Sequence, residues 1–204
     1  MKLSEQRFVD LLRAFRSSEP TPGGGSASAL SGAVGAALLA MVAGLPRPRL
    51  PEAGLSDAGT RCGLLSERLA MLMDRDSEAY DHVVEAFRLP KGTEEEKAER
   101  SARIQEGLRL ATEAPLDVMR ACGSAITEAL VVAACGNVNA SSDVRVGLEL
   151  LGAGLRGAKL NVEVNLASIK DDVFAGAVCA EADRLAVSAE SEAAAALARL
   201  EQAD

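Results

Sequence analysis

Residues Pro20 to Leu45 read PTPGGGSASALSGAVGAALLAMVAGL, and from Ser26 to Leu45 the chain carries no charge. Two prolines stiffen the approach, and three glycines strip the backbone of Cβ atoms just before a helix-forming run. The pattern predicts a helix from Ser26, as its capping residue, to about Gly44. Gly32, Ala36 and Ala40 recur every four residues and make a smooth face for close helix contact. A helix of this kind belongs in the middle of a fold, with other helices around it. Its bare N–H groups at the start invite a close neighbour, either a ligand or another part of the chain.

The rest of the composition agrees with that placement. Aromatic residues make up 2% of the 204, Trp is absent and Tyr80 is the single tyrosine, so the core must be built from Ala, Leu and Val. Such a core favours packed helices over sheets. The expected fold is all-α, a multihelical bundle of long and short helices around the buried small-residue helix, in a single domain spanning 1–204. A net charge of −8 argues against nucleic acid as a partner. The run Ala27–Leu45 is long enough for a membrane span. It is rich in Ala, Gly and Ser, however, and no other segment suggests a span, so no membrane is expected. Cys62, Cys122, Cys135 and Cys179 form no CxxC pair and His82 is the only histidine, which leaves no metal pattern. All four cysteines read as small core residues in a reducing, cytoplasmic setting.

Helix signals divide the chain cleanly. Ser4 is positioned to cap a first helix whose buried stripe is Phe8, Leu11, Leu12 and Phe15. A long helix from about Ser56 to Arg88 is stopped by Pro90. Thr93 and the following glutamates open another, expected to break at Pro115 and end near Ala121. A short helix over Ser124–Ala134 follows. Ser141 or Ser142 caps the next helix and Asp171 the last. Asn161–Leu166 alternates like a strand, but with no partner strand it reads as helix, which puts Asn161 and Asn165 on one face.

One residue in the long third helix stands out. Leu65, Leu69, Leu72, Asp76, Ala79, Val83 and Ala86 form a core-facing stripe with a carboxylate in its middle. A buried carboxylate is costly unless paired or needed, and burial raises its pKa into a range useful for proton transfer. Two readings stay open on pattern alone: a structural salt bridge, or a general acid/base. Asp74 is expected to face solvent, as is His82. The cluster Gly136–Asp143 combines capping side chains with the donors and acceptors of a polar pocket. PTPGGGS is not a phosphate loop, because no Lys follows Ser26 and no strand precedes the glycines.

Four stretches occur in a fixed order: PTPGGGSASALSGAVGAALLAMVAGL, DRDSEAYDHVVEAFRLPKGTEEEK with QEGLRLATEAPL, CGNVNASSDVRVGLELL, and GAKLNVEVNLASIKD. Over nearly the whole chain this resembles the formiminotetrahydrofolate cyclodeaminases and their relatives, the methenyltetrahydrofolate cyclohydrolases. The resemblance implies an all-helical homodimer acting on the carbon that bridges the 5- and 10-nitrogens of tetrahydrofolate, with no cofactor beyond that substrate. It implies Asp76 as catalytic, because the family's aspartate falls in the DxDxEAY/F segment. It further implies pocket roles for Gly23, Gly24, Gly25, Ser26, Asn137, Ser142, Asp143, Asn161 and Asn165. Arg47, Arg49 and Lys91 are candidates for the anionic glutamate tail. The segment GLPRPRLPEAG departs from the family, with Leu50 where an aromatic is usual. A non-catalytic helical dimer or folate-binding scaffold is the alternative. In a scaffold Asp76 should be neutralised by Arg or Lys; in an enzyme it should face a cavity shared with the glycine segment.

Overall fold

In a computed structural model that describes residues 2–46 and 54–201, the charge-free segment forms helix α2, Gly24–Gly44. It runs against α3 (Leu55–Arg88) on one side and antiparallel to α5 (Ser141–Leu166) on the other, with α4 (Glu94–Cys135) behind. Helix α6 (Asp172–Glu201) packs on α4 and α5, and the short α1 (Phe8–Phe15) leads into the glycines. No strand occurs among the described residues, so the expected all-α bundle with a central small-residue helix is what forms. Arg47, Arg49 and Leu50 lie outside the described residues.

Small residues set the spacing of the centre. A Cβ on Gly35 would fall 2.7 Å from the Gly147 carbonyl, and one on Gly147 would fall 3.1 Å from that of Gly35. The α2 and α5 backbones therefore meet directly, which only this pair of residues allows. Leu39, Leu69, Leu116, Met119, Ile126 and Leu151 fill the space around the crossing.

Several sequence expectations are corrected by packing. Helix α2 starts at Gly24 with Gly23 in the capping position, so Ser26 lies inside the first turn and does not cap. Ser4 does not cap α1 either: its hydroxyl donates to Asp74 Oδ2 at 2.5 Å, and Leu3 N–H donates to Asp74 Oδ1 at 2.6 Å. Asp74 is thus buried against the N-terminal turn instead of facing solvent. Neither Ser141 nor Ser142 caps α5. On α1 only Leu11 is buried, while Phe8 is 64% and Leu12 44% exposed, because the single chain offers that stripe little to cover it. Cys179 is exposed; the other three cysteines are buried.

The largest correction concerns Pro115. The expected break and the separate Ser124–Ala134 helix are absent, and α4 is continuous for 42 residues. Proline removes the N–H that would bond the Ala111 carbonyl one turn back. Asn165 Nδ2, from the end of α5, donates to that carbonyl at 2.6 Å. The side chain replaces the missing backbone donor and the helix carries on. Elsewhere the capping box of Thr93 and Glu96 forms, Asp171 accepts from Val173 and Phe174 N–H at the start of α6, and Asn161–Leu166 is helical.

Two helices, Gly24–Gly44 and Glu94–Cys135, are long and apolar enough by length and composition to cross a membrane. The second was not anticipated, because its charged first half masks an apolar second half. Within the bundle, 44% and 56% of these stretches are buried.

Candidate active site

Asp76 points from α3 onto the bare start of α2. Its carboxyl occupies the place a Cβ on Gly25 would need: that atom would lie 2.6 Å from Asp76 Cγ and 2.7 Å from Oδ2. Gly25 and Ser26 are buried, so the glycine lets the carboxyl reach the first turn of the helix. Ser26 Oγ–H donates to Asp76 Oδ2 at 2.8 Å, and the same oxygen lies 3.2 Å from the Met73 carbonyl and 3.4 Å from Ser77 Oγ. Burial pushes the Asp76 carboxyl above the ordinary aspartate range, opposed by the hydroxyl and backbone N–H of Ser26. The positive end of α2 also favours the anion, by up to about 1 kcal/mol where exposed and more where partly buried.

Asp76 has no ion-pair partner among the described residues. The nearest arginine along the helix, Arg75, is bonded to Asp117 on α4, which also binds Arg120. The neutralised carboxylate expected of a scaffold is therefore not found among the described residues; Asp76 meets the glycine segment in direct contact, not across a shared cavity. A half-buried carboxyl held by the hydroxyl and backbone N–H of one serine at a helix start can accept a proton and release it again.

The other sequence-derived residues separate into two groups. Asn161 stands beside the glycines, its amide about one van der Waals contact (3.5 Å) from a Cβ built on Gly24, and Asn165 is one turn further, engaged with Ala111. Asn137, Ser142 and Asp143 lie at the opposite end of α2. Asn137 Nδ2 donates to the Pro46 carbonyl beyond the C-terminus of that helix. From Asn161 back to Ser142 is about 28 Å along α5, at 1.5 Å per residue. Within one chain these family motifs do not converge.

Lys91 lines a cavity of about 390 Å³ together with Lys97, Arg100 and Lys170. Four cations in one hollow of an acidic chain is a feature the sequence hid. Lys97 and Arg100 stand in a glutamate-rich run, and Lys170 joins them from the loop after α5. Asp76 lines neither this cavity nor the 410 Å³ cleft beside His82 and Glu106. His82 itself is exposed. Among the described residues no three His, Cys, Asp or Glu are grouped to hold a metal ion.

The all-helical bundle and the sequence together place the chain in a recognisable class. The chain belongs to the formiminotransferase-cyclodeaminase family, whose model matches residues 7–184. A methenyltetrahydrofolate cyclohydrolase of Methylorubrum extorquens is 44% identical over 174 residues, covering 83% of this chain and 82% of that one. A formimidoyltransferase-cyclodeaminase of Sus scrofa is 35% identical and covers 93% of this chain, which in turn spans only 36% of that longer protein. The crystal structure of a formiminotetrahydrofolate cyclodeaminase from Thermotoga maritima superposes with a TM-score of 0.84 at 25% identity, over 98% of both chains.

Proposed function

We propose that this protein is a folate one-carbon enzyme working on the carbon that bridges the 5- and 10-nitrogens, with Asp76 as its general acid/base. The observation that carries the reading is the Asp76 carboxyl itself: half-buried, without a cation partner among the described residues, hydrogen-bonded to Ser26 and seated on Gly25. In the cyclodeaminase direction the 10-nitrogen attacks the formimino carbon held on the 5-nitrogen. Asp76 takes the proton shed by the attacking nitrogen and returns one to the departing ammonia, leaving methenyltetrahydrofolate. In the cyclohydrolase direction water attacks the methenyl carbon, and Asp76 takes its proton and returns one to the 5-nitrogen as the bond from that nitrogen to the carbon breaks. The ring opens to 10-formyltetrahydrofolate, with the remaining hydroxyl proton released to solvent. Neither direction changes the oxidation level of the carbon, so the chemistry asks for no cofactor beyond the folate. Both are C–N bond reactions, one a lyase step and the other a hydrolase step. Incubating the protein separately with formimino- and methenyltetrahydrofolate, and following methenyl absorbance, decides between them. Absorbance should rise in the first assay or fall in the second; no change in either refutes the reading.

Gly23, Gly24, Asn161 and the free oxygen of the Asn165 amide line the pterin beside Asp76 in this proposal. The basic hollow of Lys91, Lys97, Arg100 and Lys170 takes the anionic tail. It opens beyond the end of α3, which runs twelve residues, about 18 Å, past Asp76. Arg47 and Arg49, which lie outside the described residues, are proposed for the same tail from the sequence alone.

The stranded motifs support a homodimer. Ala27, Val34, Ala37 and Met41 on α2, and Val146, Ala153, Leu160 and Val164 on α5, are exposed apolar residues on neighbouring helices, with Glu149 and Arg156 beside the α5 set. A second copy docked face to face about a two-fold axis brings the Asn137, Ser142 and Asp143 end of one α5 to the Asp76 end of the other. Each site then draws on both protomers. The same burial takes the apolar face of α2 out of water, consistent with a cytoplasmic enzyme off the membrane. Asp76→Asn and Asp143→Ala, each inactive alone, should recover about a quarter of native activity when co-refolded in equal amounts. Half of the dimers would be mixed, each with one intact site. No recovery, or an active monomer by light scattering, would exclude the shared site.

A further inference from the structure

The Ser26 hydroxyl has one proton and three oxygen neighbours. It lies 2.8 Å from Asp76 Oδ2, 3.2 Å from the Met73 carbonyl and 3.4 Å from Ser77 Oγ, in a fully buried position. With Asp76 ionised, the Ser26 O–H donates to the carboxylate. With Asp76 protonated, the direction reverses: the carboxyl O–H donates to Ser26 Oγ, and the Ser26 O–H turns to the Met73 carbonyl, which has a second lone pair to offer. No heavy atom moves, and no buried polar group is orphaned in either state. A carboxyl that must take and return a proton once in every turnover needs this equality. Without it, one of its two forms would be trapped.

We infer that Ser26 is a positioning residue for the reaction, a two-way hydrogen-bond switch that keeps Asp76 paired in both of its protonation states. The inference rests on the acid/base reading of Asp76. The backbone N–H of Ser26 can only donate, so it cannot receive the proton of the neutral carboxyl, and the charged groups around it do not offer a substitute. Helix α2 brings no charged side chain between Ser26 and Leu45, and on α3 Asp74 is turned to Leu3 and Ser4 and Arg75 to Asp117. On α4 Asp117 is held by Arg75 and Arg120, and α5 presents the neutral Asn161 while its Lys159 pairs with Asp183.

The test uses the full-length protein and the variants Ser26→Ala, Ser26→Thr and Asp76→Asn. Infrared titration of the carboxyl stretch in aspartate-labelled protein reads the Asp76 midpoint without turnover, with the band assigned by its loss in Asp76→Asn. A hydrogen bond to a carboxylate is stronger than one to a neutral carboxyl. Removing the hydroxyl therefore raises the midpoint by about one pH unit. The acid limb of the pH–rate profile with methenyl- or formiminotetrahydrofolate should move by the same amount, and turnover should fall about tenfold. Ser26→Thr keeps the hydroxyl and should return the midpoint to that of the native protein. A merely structural serine would alter thermal stability and leave the midpoint in place. An unmoved midpoint in Ser26→Ala, with Asp76→Asn inactive, overturns the switch alone. Full turnover in Asp76→Asn overturns the reading on which it stands.

Discussion

Asp76→Asn should lose at least about a hundredfold in turnover while the protein becomes harder to unfold. The two effects have one origin. Burial holds the native Asp76 carboxyl above the ordinary aspartate range, even against the Ser26 hydrogen bonds. A carboxyl whose native pKa exceeds its unfolded value takes up a proton on folding. Its contribution to stability is complete below the unfolded value and is lost as pH rises through the native one. At neutral pH the ionised side chain therefore weighs against the fold. An amide of the same shape removes that charge and still fits over Gly25. Thermal unfolding of both proteins from pH 3.5 to 8 checks this: their midpoints should lie close together at the acid end and separate, with the variant higher, as pH rises. The native pH–rate profile should show an acid limb above the ordinary aspartate range, and the variant should lack it. A variant that is destabilised at pH 7 yet fully active would return Asp76 to a structural role.

The stripe that singled out Asp76 was legible because helical periodicity is a local property. Leu69, Leu72 and Ala79 are buried on the same side of α3, as their spacing requires. The Thr93 capping box and the stop at Pro90 were readable for the same reason. What was not readable depends on partners far away in the chain. Pro115 lacks its breaking effect because a side chain fifty residues on supplies the missing donor. Asp74 sits two residues from Asp76, yet it is buried because Leu3 and Ser4 come to it from the other end of the sequence. Ser26 looked like a cap and turned out to hold the carboxyl, since a glycine can occupy the capping position just as well. The site suffered most from this limit. The motifs come in a fixed order, but the antiparallel run of α2 and α5 sends Asn161 and Asn137 to opposite ends of the same helix. The apolar stripe that α2 leaves exposed carries the same ambiguity: the sequence marks the whole helix for burial, without saying which part of it this chain covers.

Gly25→Ala is the second variant expected to have a large effect, and it isolates the opening glycines from their packing role. The added methyl would sit 2.6 Å from Asp76 Cγ and 2.7 Å from Oδ2, closer than real Cβ contacts come. Backbone cannot yield there without moving the start of α2, so the short aspartate side chain must swing aside and give up its 2.8 Å bond to Ser26. Alanine is favoured over glycine in a helix by up to about 1 kcal/mol, which offsets much of the crowding. Stability should therefore change little, whereas displacing a catalytic group by about 1 Å costs on the order of a hundredfold in rate. Thermal unfolding and turnover measured on the same preparation separate the two. The decisive comparison is a double-mutant cycle with Asp76→Asn. If Gly25 acts by admitting the carboxyl to the helix start, adding Gly25→Ala to Asp76→Asn should cost several times less than adding it to the native enzyme, because the group it displaces has already lost its function. Independent, additive losses would mean that the glycine serves the substrate directly, with its bare backbone facing the folate instead of the aspartate.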